Sequence, residues 1–321
     1  MGEYYKPKID GKEDFLIGKI GETSTTNYKV KLLLSKKNHK NVIIGSSRVL
    51  QFRKEFFTDD FINLGFILNS GKSVDEFGTL LNKYNIKIDE LVISVDPWWF
   101  KKADESLNLK GLQGLKNETF ISYFDVIKNF NNINLINFDR IGFCKLYGIN
   151  ARRMLSGFRN DGSLSFGVNY YRNRDTNVFM KKPLDIPISS KLNLESDISD
   201  IQVKYFFDGI VKISKRCHKL TIVQLPLPLY FYNSPICLNL DSIFEKECAN
   251  KNVNYIKFKS HRGSDFIDPL HVNTKYCYNI LPVIFKNSKI NHDLKFIDEN
   301  YLLKYDNIMY HHIKKMKFPL R

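Results

Sequence analysis

Two stretches far apart in the chain carry residue types that do chemistry together. Gly45-Ser46-Ser47 closes the apolar run "NVIIG" and leads into the amphipathic "RVLQFR". A strand that ends this way puts hydroxyls and backbone N–H groups at a helix N-terminus, where negative charge is favoured. The same turn can cap a helix or present a serine nucleophile beside an oxyanion-binding amide. The distant stretch is "SDFIDPLHVNTKYCYNILPVI", in which two residues separate Asp268 from His271. A nucleophilic serine needs a general base within hydrogen-bond reach and a carboxylate that orients the imidazole. Asp268 and His271 offer both from one turn. Taken singly, the serine pair reads as a cap, Asp268 as the cap of the next helix, and His271 as an incidental polar residue. Taken together, at opposite ends of the chain, they point to Ser47 as nucleophile, His271 as base and Asp268 as its orienting group.

The elements that must position these groups are legible as alternating patterns. Short apolar runs at "NVIIG", "FINLGF", "ELVISVD", "LTIVQLPLP" and "VNYIKF" predict strands buried on both faces. Between them, Ser73 with Glu76 three residues on is a capping-box signature, and Val74, Phe77, Leu80 and Leu81 share a helical face. Further helices are predicted over 118–130, over 198–215 with Ile201, Phe207, Ile210 and Val211 in phase, and over 240–249. Such alternation predicts an α/β fold, a three-layer α/β/α sandwich around a mainly parallel sheet of about five strands, flavodoxin-like in kind. In such a sheet ligands bind beyond the carboxyl ends of the strands. Residues 1–40 read as an N-terminal arm, 41–290 as the α/β domain, 101–197 as an insertion within it, and 291–321 as a C-terminal extension.

Composition narrows the function classes. The chain of 321 residues, 43% hydrophobic and 14% aromatic, can bury a large core. No run is apolar for the roughly 18–20 residues of a membrane span, the first residues lack the apolar stretch of a signal peptide, and Lys6 breaks the myristoylation pattern. A cytoplasmic protein is expected from the chain as it stands, with an extracytoplasmic enzyme anchored by an N-terminal segment outside this chain as the alternative. The five cysteines are scattered, with no C-x-x-C pair, and the seven histidines make no H-x-x-x-H pair. Buried free thiols are expected, and neither a metal nor a cofactor is implied. The net charge of +15 raises nucleic acid as a partner, but it is mostly lysine spread along the chain, and no nucleic-acid-binding motif accompanies it. Nucleic acid is therefore not the expected partner.

At these motifs the sequence resembles the SGNH/GDSL-type serine hydrolases and acyltransferases. "GSS" stands at the family's G-D-S-like turn, with Ser47 in the nucleophile place and Ser46 where Asp is usual; Asp268 and His271 match its C-terminal D-x-x-H. The resemblance implies that Gly71, in "NLGFILNSGKSVDEF", adds its N–H to that of Ser47 in an oxyanion hole, with Gly65 as competitor. Family hydrolases carry G-x-N-D in the next block, where this chain has Asp96-Pro97-Trp98-Trp99-Phe100. An ionised Asp cannot donate as that Asn does. "DPWWF" is closer to an S-P-Q-W-F-like segment of the subgroup that includes the D-alanyl transfer protein, which also has G-S-S at its turn.

The resemblance implies an acyl-enzyme on Ser47, formed from an acyl or acetyl ester of a carbohydrate or cell-surface polysaccharide. Water as acceptor makes the protein an esterase; a sugar hydroxyl makes it an O-acyltransferase using an acyl donor. Asp96, Trp98 and Trp99, with Arg159 and Asp161 from the glycine-rich "GFRNDGSLSFG", are the candidate substrate-binding residues. Trp98 and Trp99 read equally as a wall for a sugar or acyl chain and as a seal on the sheet. The 157–172 stretch reads as a lid or as a surface hairpin. Two other classes remain: a binding protein on the same fold with little catalysis, and a basic nucleic-acid-binding protein.

Overall fold

The computed structural model describes residues 3–5, 15–18, 29–102, 156–158, 161–166, 197–227, 229–259, 265–266 and 270–292. The predicted helix at 118–130, Cys144, Arg159, Asp268 and the extension after 292 lie outside them.

Five strands form the central sheet: β3 (Asn38–Gly45), β4 (Phe61–Gly65), β5 (Lys87–Ser94), β8 (Cys217–Gln224) and β9 (Asn254–Lys257). Their order is β4-β3-β5-β8-β9 and every pairing is parallel. Numbered among themselves the core strands run 2-1-3-4-5, the order of a flavodoxin-like doubly wound sheet. The alternation of a strand explains the two cores. Val42, Ile44, Leu91 and Ile93 face α1 (Gly71–Lys83), α2 (Asp200–Ser214) and α3 (Pro235–Asn250), meeting Phe77, Leu81, Phe206, Ile210, Leu240 and Phe244. Ile43, Val92 and Val223 face the other way, onto Phe52, Phe56 and the apolar side of α4 (Thr274–Ile284). Each such side chain contributes about 1.5–3 kcal/mol by leaving water. Among the described residues no helix is long and apolar enough to cross a membrane.

A second sheet is antiparallel, in the order β1-β2-β6-β7: β1 (Glu3–Tyr5) and β2 (Phe15–Gly18) pair with the hairpin of β6 (Ser156–Phe158) and β7 (Leu164–Phe166). It joins the N-terminal stretch to part of the insertion. Residues 29–34 are helical, and Val30 and Leu33 lie in the larger core.

Three details differ from the sequence reading. α1 starts at Gly71, and its capping box is Ser70 with Ser73, not Ser73 with Glu76: Ser70 Oγ accepts from Ser73 N at 3.1 Å and Ser73 Oγ accepts from Ser70 N at 3.1 Å. In α2, Ile201 and Val211 are 39% and 44% exposed, while Phe206, Gly209 and Ile213 join Phe207 and Ile210 on the buried face. The reason is the contact with α1, which turns the glycine side of α2 inward. Of the four described cysteines, all free, Cys217 is half-buried and the other three are buried.

The α1–α2 contact is close because Gly78 and Gly209 lack side chains. A Cβ on Gly209 would stand 2.6 Å from Asp75 N, and one on Gly78 would stand 2.8 Å from Lys212 Cβ. Gly209→Ala should therefore destabilise the protein by about 1–3 kcal/mol of overpacking, less the ~1 kcal/mol that alanine returns in helix propensity. The check is the urea midpoint, which should fall with an unchanged m-value; a raised midpoint would mean that the helices separate at little cost.

Candidate active site

The carboxyl ends of β3 and β5 meet where the sheet's order reverses, the place at which doubly wound folds bind ligands. Gly45 ends β3 there, and a Cβ on it would lie 3.0 Å from Ser94 O at the end of β5. The chain then turns into a 3-10 segment, Ser47–Val49, followed by another at Lys54–Phe56. No α-helix follows β3, so the helix N-terminus expected from the sequence is replaced by a short turn. A macrodipole of several turns does not stand behind its N–H groups.

Within the turn the two serines divide the work. Ser46 is the cap, its Oγ accepting from Arg48 N at 3.3 Å. Ser47, half-buried, has its Oγ 2.8 Å from His271 Nε2. His271 lies in the loop before α4, a helix capped by Asn273, whose side chain accepts from Tyr276 N at 2.7 Å. The loop is fixed by a Phe266–Val272 bridge, by Asn273 N donating to Asp265 O, and by Thr274 Oγ1 donating to Gln51 Oε1 at 2.8 Å. The last bond ties the start of α4 to the segment that follows Ser47. Asp268 lies outside the described residues.

Arg48 was not singled out in the sequence, yet it organises this edge. It is 1% exposed, and Nη1 donates to Asp96 Oδ1 at 2.8 Å, while Asp96 is wholly buried. Nη2 donates to Leu225 O at 2.9 Å and to Pro226 O at 2.5 Å, and Nε donates to Leu270 O at 3.1 Å. The signal available for it was an arginine between the serine turn and the apolar Val49-Leu50, with Asp96 just past the end of the neighbouring strand. A charge in such a setting needs a buried partner.

The other candidates separate. Asp96 spends one oxygen on Arg48, and Oδ2 has no hydrogen-bond partner among the described residues. Trp99 is sealed in the larger core, 1% exposed. Trp98 is half-buried at the sheet end, with Arg48 Cζ 5.7 Å from its ring centroid and Phe231 edge-on at 6.4 Å. Phe231 belongs to a small cluster with Leu227, Tyr232 and Ile236, on which Leu270, the neighbour of His271, also packs. Gly71 opens α1, where the helix leaves an N–H without an internal acceptor; its Cα lies against α2, with Gln202 O in the place of a Cβ. Gly65 N donates to Asn63 Oδ1, so that amide is engaged locally. The loop between them returns to the turn through Leu68 N donating to Gly45 O.

No protein-family model matches the chain, and no curated protein matches it.

Asp161 holds the hairpin of β6 and β7 against the free edge of β4. Its Oδ1 accepts from Ser163 N and Oγ, its Oδ2 from Lys54 N at 2.8 Å, and its carbonyl from Asn63 N at 2.6 Å. Lys29 donates to Asn63 O at 2.7 Å and to Gly162 O, where a positive φ of 85° suits glycine. These bonds place Asp161 as a support of the segment after Ser47. Burial pushes the Lys29 pKa down to about 7, against the pull of the Asp161 carboxylate. In the unfolded chain Lys29 keeps its proton up to about 10.5, so between 7 and 10.5 the unfolded state binds more protons and stability rises with pH. Below 7 both states are protonated and the cost of burying the ammonium is fully present. The urea midpoint of the wild type, relative to Lys29→Met, should climb between pH 7 and 10; a flat difference would mean that the buried amine stays charged.

Proposed function

We propose that this protein is a serine-dependent ester hydrolase or O-acyltransferase of the SGNH type, acting through an acyl-enzyme on Ser47. The observation that carries the proposal is the 2.8 Å contact between Ser47 Oγ and His271 Nε2 at the switch point of a parallel sheet. Two residues 224 apart in sequence meet there with nucleophile–base geometry. In this reading His271 Nε2 takes the Ser47 proton as Oγ attacks the ester carbonyl, then returns it to the leaving alcohol as the tetrahedral intermediate collapses. The N–H groups of Ser47 and Gly71 are assigned to the oxyanion, and Asp268 to the imidazole. Water or a sugar hydroxyl then attacks the acyl-enzyme, with His271 again as base. The exposed part of Trp98 beside Phe231 offers the apolar wall on which an acyl group or sugar face packs, which supports a carbohydrate ester as substrate.

A second reading draws on Asp96. The carboxylate stands where family hydrolases place an amide donor, and it is paired with Arg48, which leaves the oxyanion one donor short. That arrangement favours a binding protein built on the same scaffold.

Release of p-nitrophenol from p-nitrophenyl acetate separates the two. The wild type should turn over, and Ser47→Ala and His271→Ala should each lower kcat by about 10³-fold or more with little change in stability. Labelling of Ser47 by a fluorophosphonate without turnover would point to a transferase that requires its own donor. Neither turnover nor labelling would leave the binding protein.

A further inference from the structure

We propose that Arg48 is the positioning residue of the Ser47–His271 pair, an inference that rests on the serine-enzyme reading of that pair. Arg48 is joined covalently to Ser47, and its Nε holds the carbonyl of Leu270, the residue covalently joined to His271. One rigid planar group therefore sets the separation between the nucleophile's turn and the base's loop. Its other two nitrogens fix the guanidinium itself, on Asp96 after β5 and on Leu225 and Pro226 after β8. The three loops leave different strands and the guanidinium is bonded to each, so the common reference is the arginine. With the side chain 1% exposed and each nitrogen engaged, Arg48 acts through the geometry of its neighbours and does not touch substrate. A lysine keeps the charge but is a point donor and cannot reach acceptors in three directions. Asp96 is then the anchor of the positioning group.

The test reads the imidazole nitrogens of His271 by NMR in the full chain, in four proteins: wild type, Ser47→Ala, Arg48→Lys, and the double variant. The expected result is that Ser47→Ala moves the Nε2 resonance in the wild-type background and leaves it unmoved in the Arg48→Lys background, where the contact is already lost. Alongside, Arg48→Lys should lower kcat on p-nitrophenyl acetate by about 10–100-fold, as a displacement of about 1 Å does, with KM within about twofold. The same Ser47→Ala displacement in both backgrounds, or an unchanged kcat in a folded Arg48→Lys protein, overturns the inference. Coupling in the NMR with neither Ser47-dependent turnover nor fluorophosphonate labelling of Ser47 in the wild type would end the enzyme reading and leave Arg48's role standing. No response to Ser47→Ala in the wild type would end both. Should Arg48→Lys fail to fold, Arg48→Met combined with Asp96→Leu removes the two buried charges together and serves as the second background.

Discussion

The ion pair between Arg48 and Asp96 is the constraint on which the carboxyl edge of the sheet depends. Two charges are withdrawn from water there, at a desolvation cost of several kcal/mol each, and their attraction offsets this only because further bonds complete the guanidinium. Those bonds are backbone carbonyls of the loops after β8 and before α4. Carbonyls at such positions lack sheet partners and would otherwise need water. The pair thus satisfies, with one side chain, the polar groups that three chain crossings leave open. Hydrophobic residues of similar volume would remove the desolvation cost of the two charges but would leave those carbonyls unmatched, at about 1–3 kcal/mol for each. What the ion pair contributes is a fixed relation among loops that the sheet alone does not fix.

Topology decides why that relation matters. In the order 2-1-3-4-5, the chain leaves β3 towards one face and returns to β5 from the other, so a crevice opens between their ends. Gly45 lets the first turn lie against Ser94, and Leu68 N closes the next loop back onto Gly45 O. On the far side, Gln51 receives Thr274 from the start of α4 and reaches Leu164 O in the hairpin. Ser47 therefore sits on a turn braced from the helix side, the hairpin side and the neighbouring strand. In the proposed role of nucleophile Ser47 needs this immobility, because effective concentration falls steeply with misplacement.

Much of the scaffold could be read in the sequence because burial on both faces writes long apolar runs. "NVIIG", "ELVISV" and "LTIVQ" have no other comfortable home than a covered parallel sheet, and the five predicted strands are the five of the central sheet. The α1 start was less legible, since Ser70 and Ser73 cap as well as Ser73 and Glu76 and only packing against Gln202 selects the earlier turn. The phase of α2 was misread because glycine scores as neutral, whereas Gly209 is what lets this face touch α1. The Ser47–His271 encounter was legible as two motifs. Arg48 was less so, because apart from Asp96 its partners are backbone carbonyls, which every residue possesses and no motif records. The bonds of Asp161 were hidden for a similar reason: a turn aspartate among glycines looks the same whether it faces a ligand or its own backbone.

The electrostatics at the pair follow from what surrounds it. With Arg48 matched by Asp96, the ground beside Ser47 carries a cation and an anion in contact, and little net charge. The 3-10 turn supplies local N–H dipoles without the summed field of a long helix. A substrate that arrives neutral therefore meets no desolvated net charge. On the proposed reading, negative charge that develops on it is stabilised by oriented N–H groups. Such groups act in full only where they are held before the charge appears, since a donor that must first reorient loses the advantage over water. On the proposed serine-enzyme reading, chemistry at Ser47 is thus tied to rigidity of the turn, and rigidity of the turn leads back to the arginine that follows it.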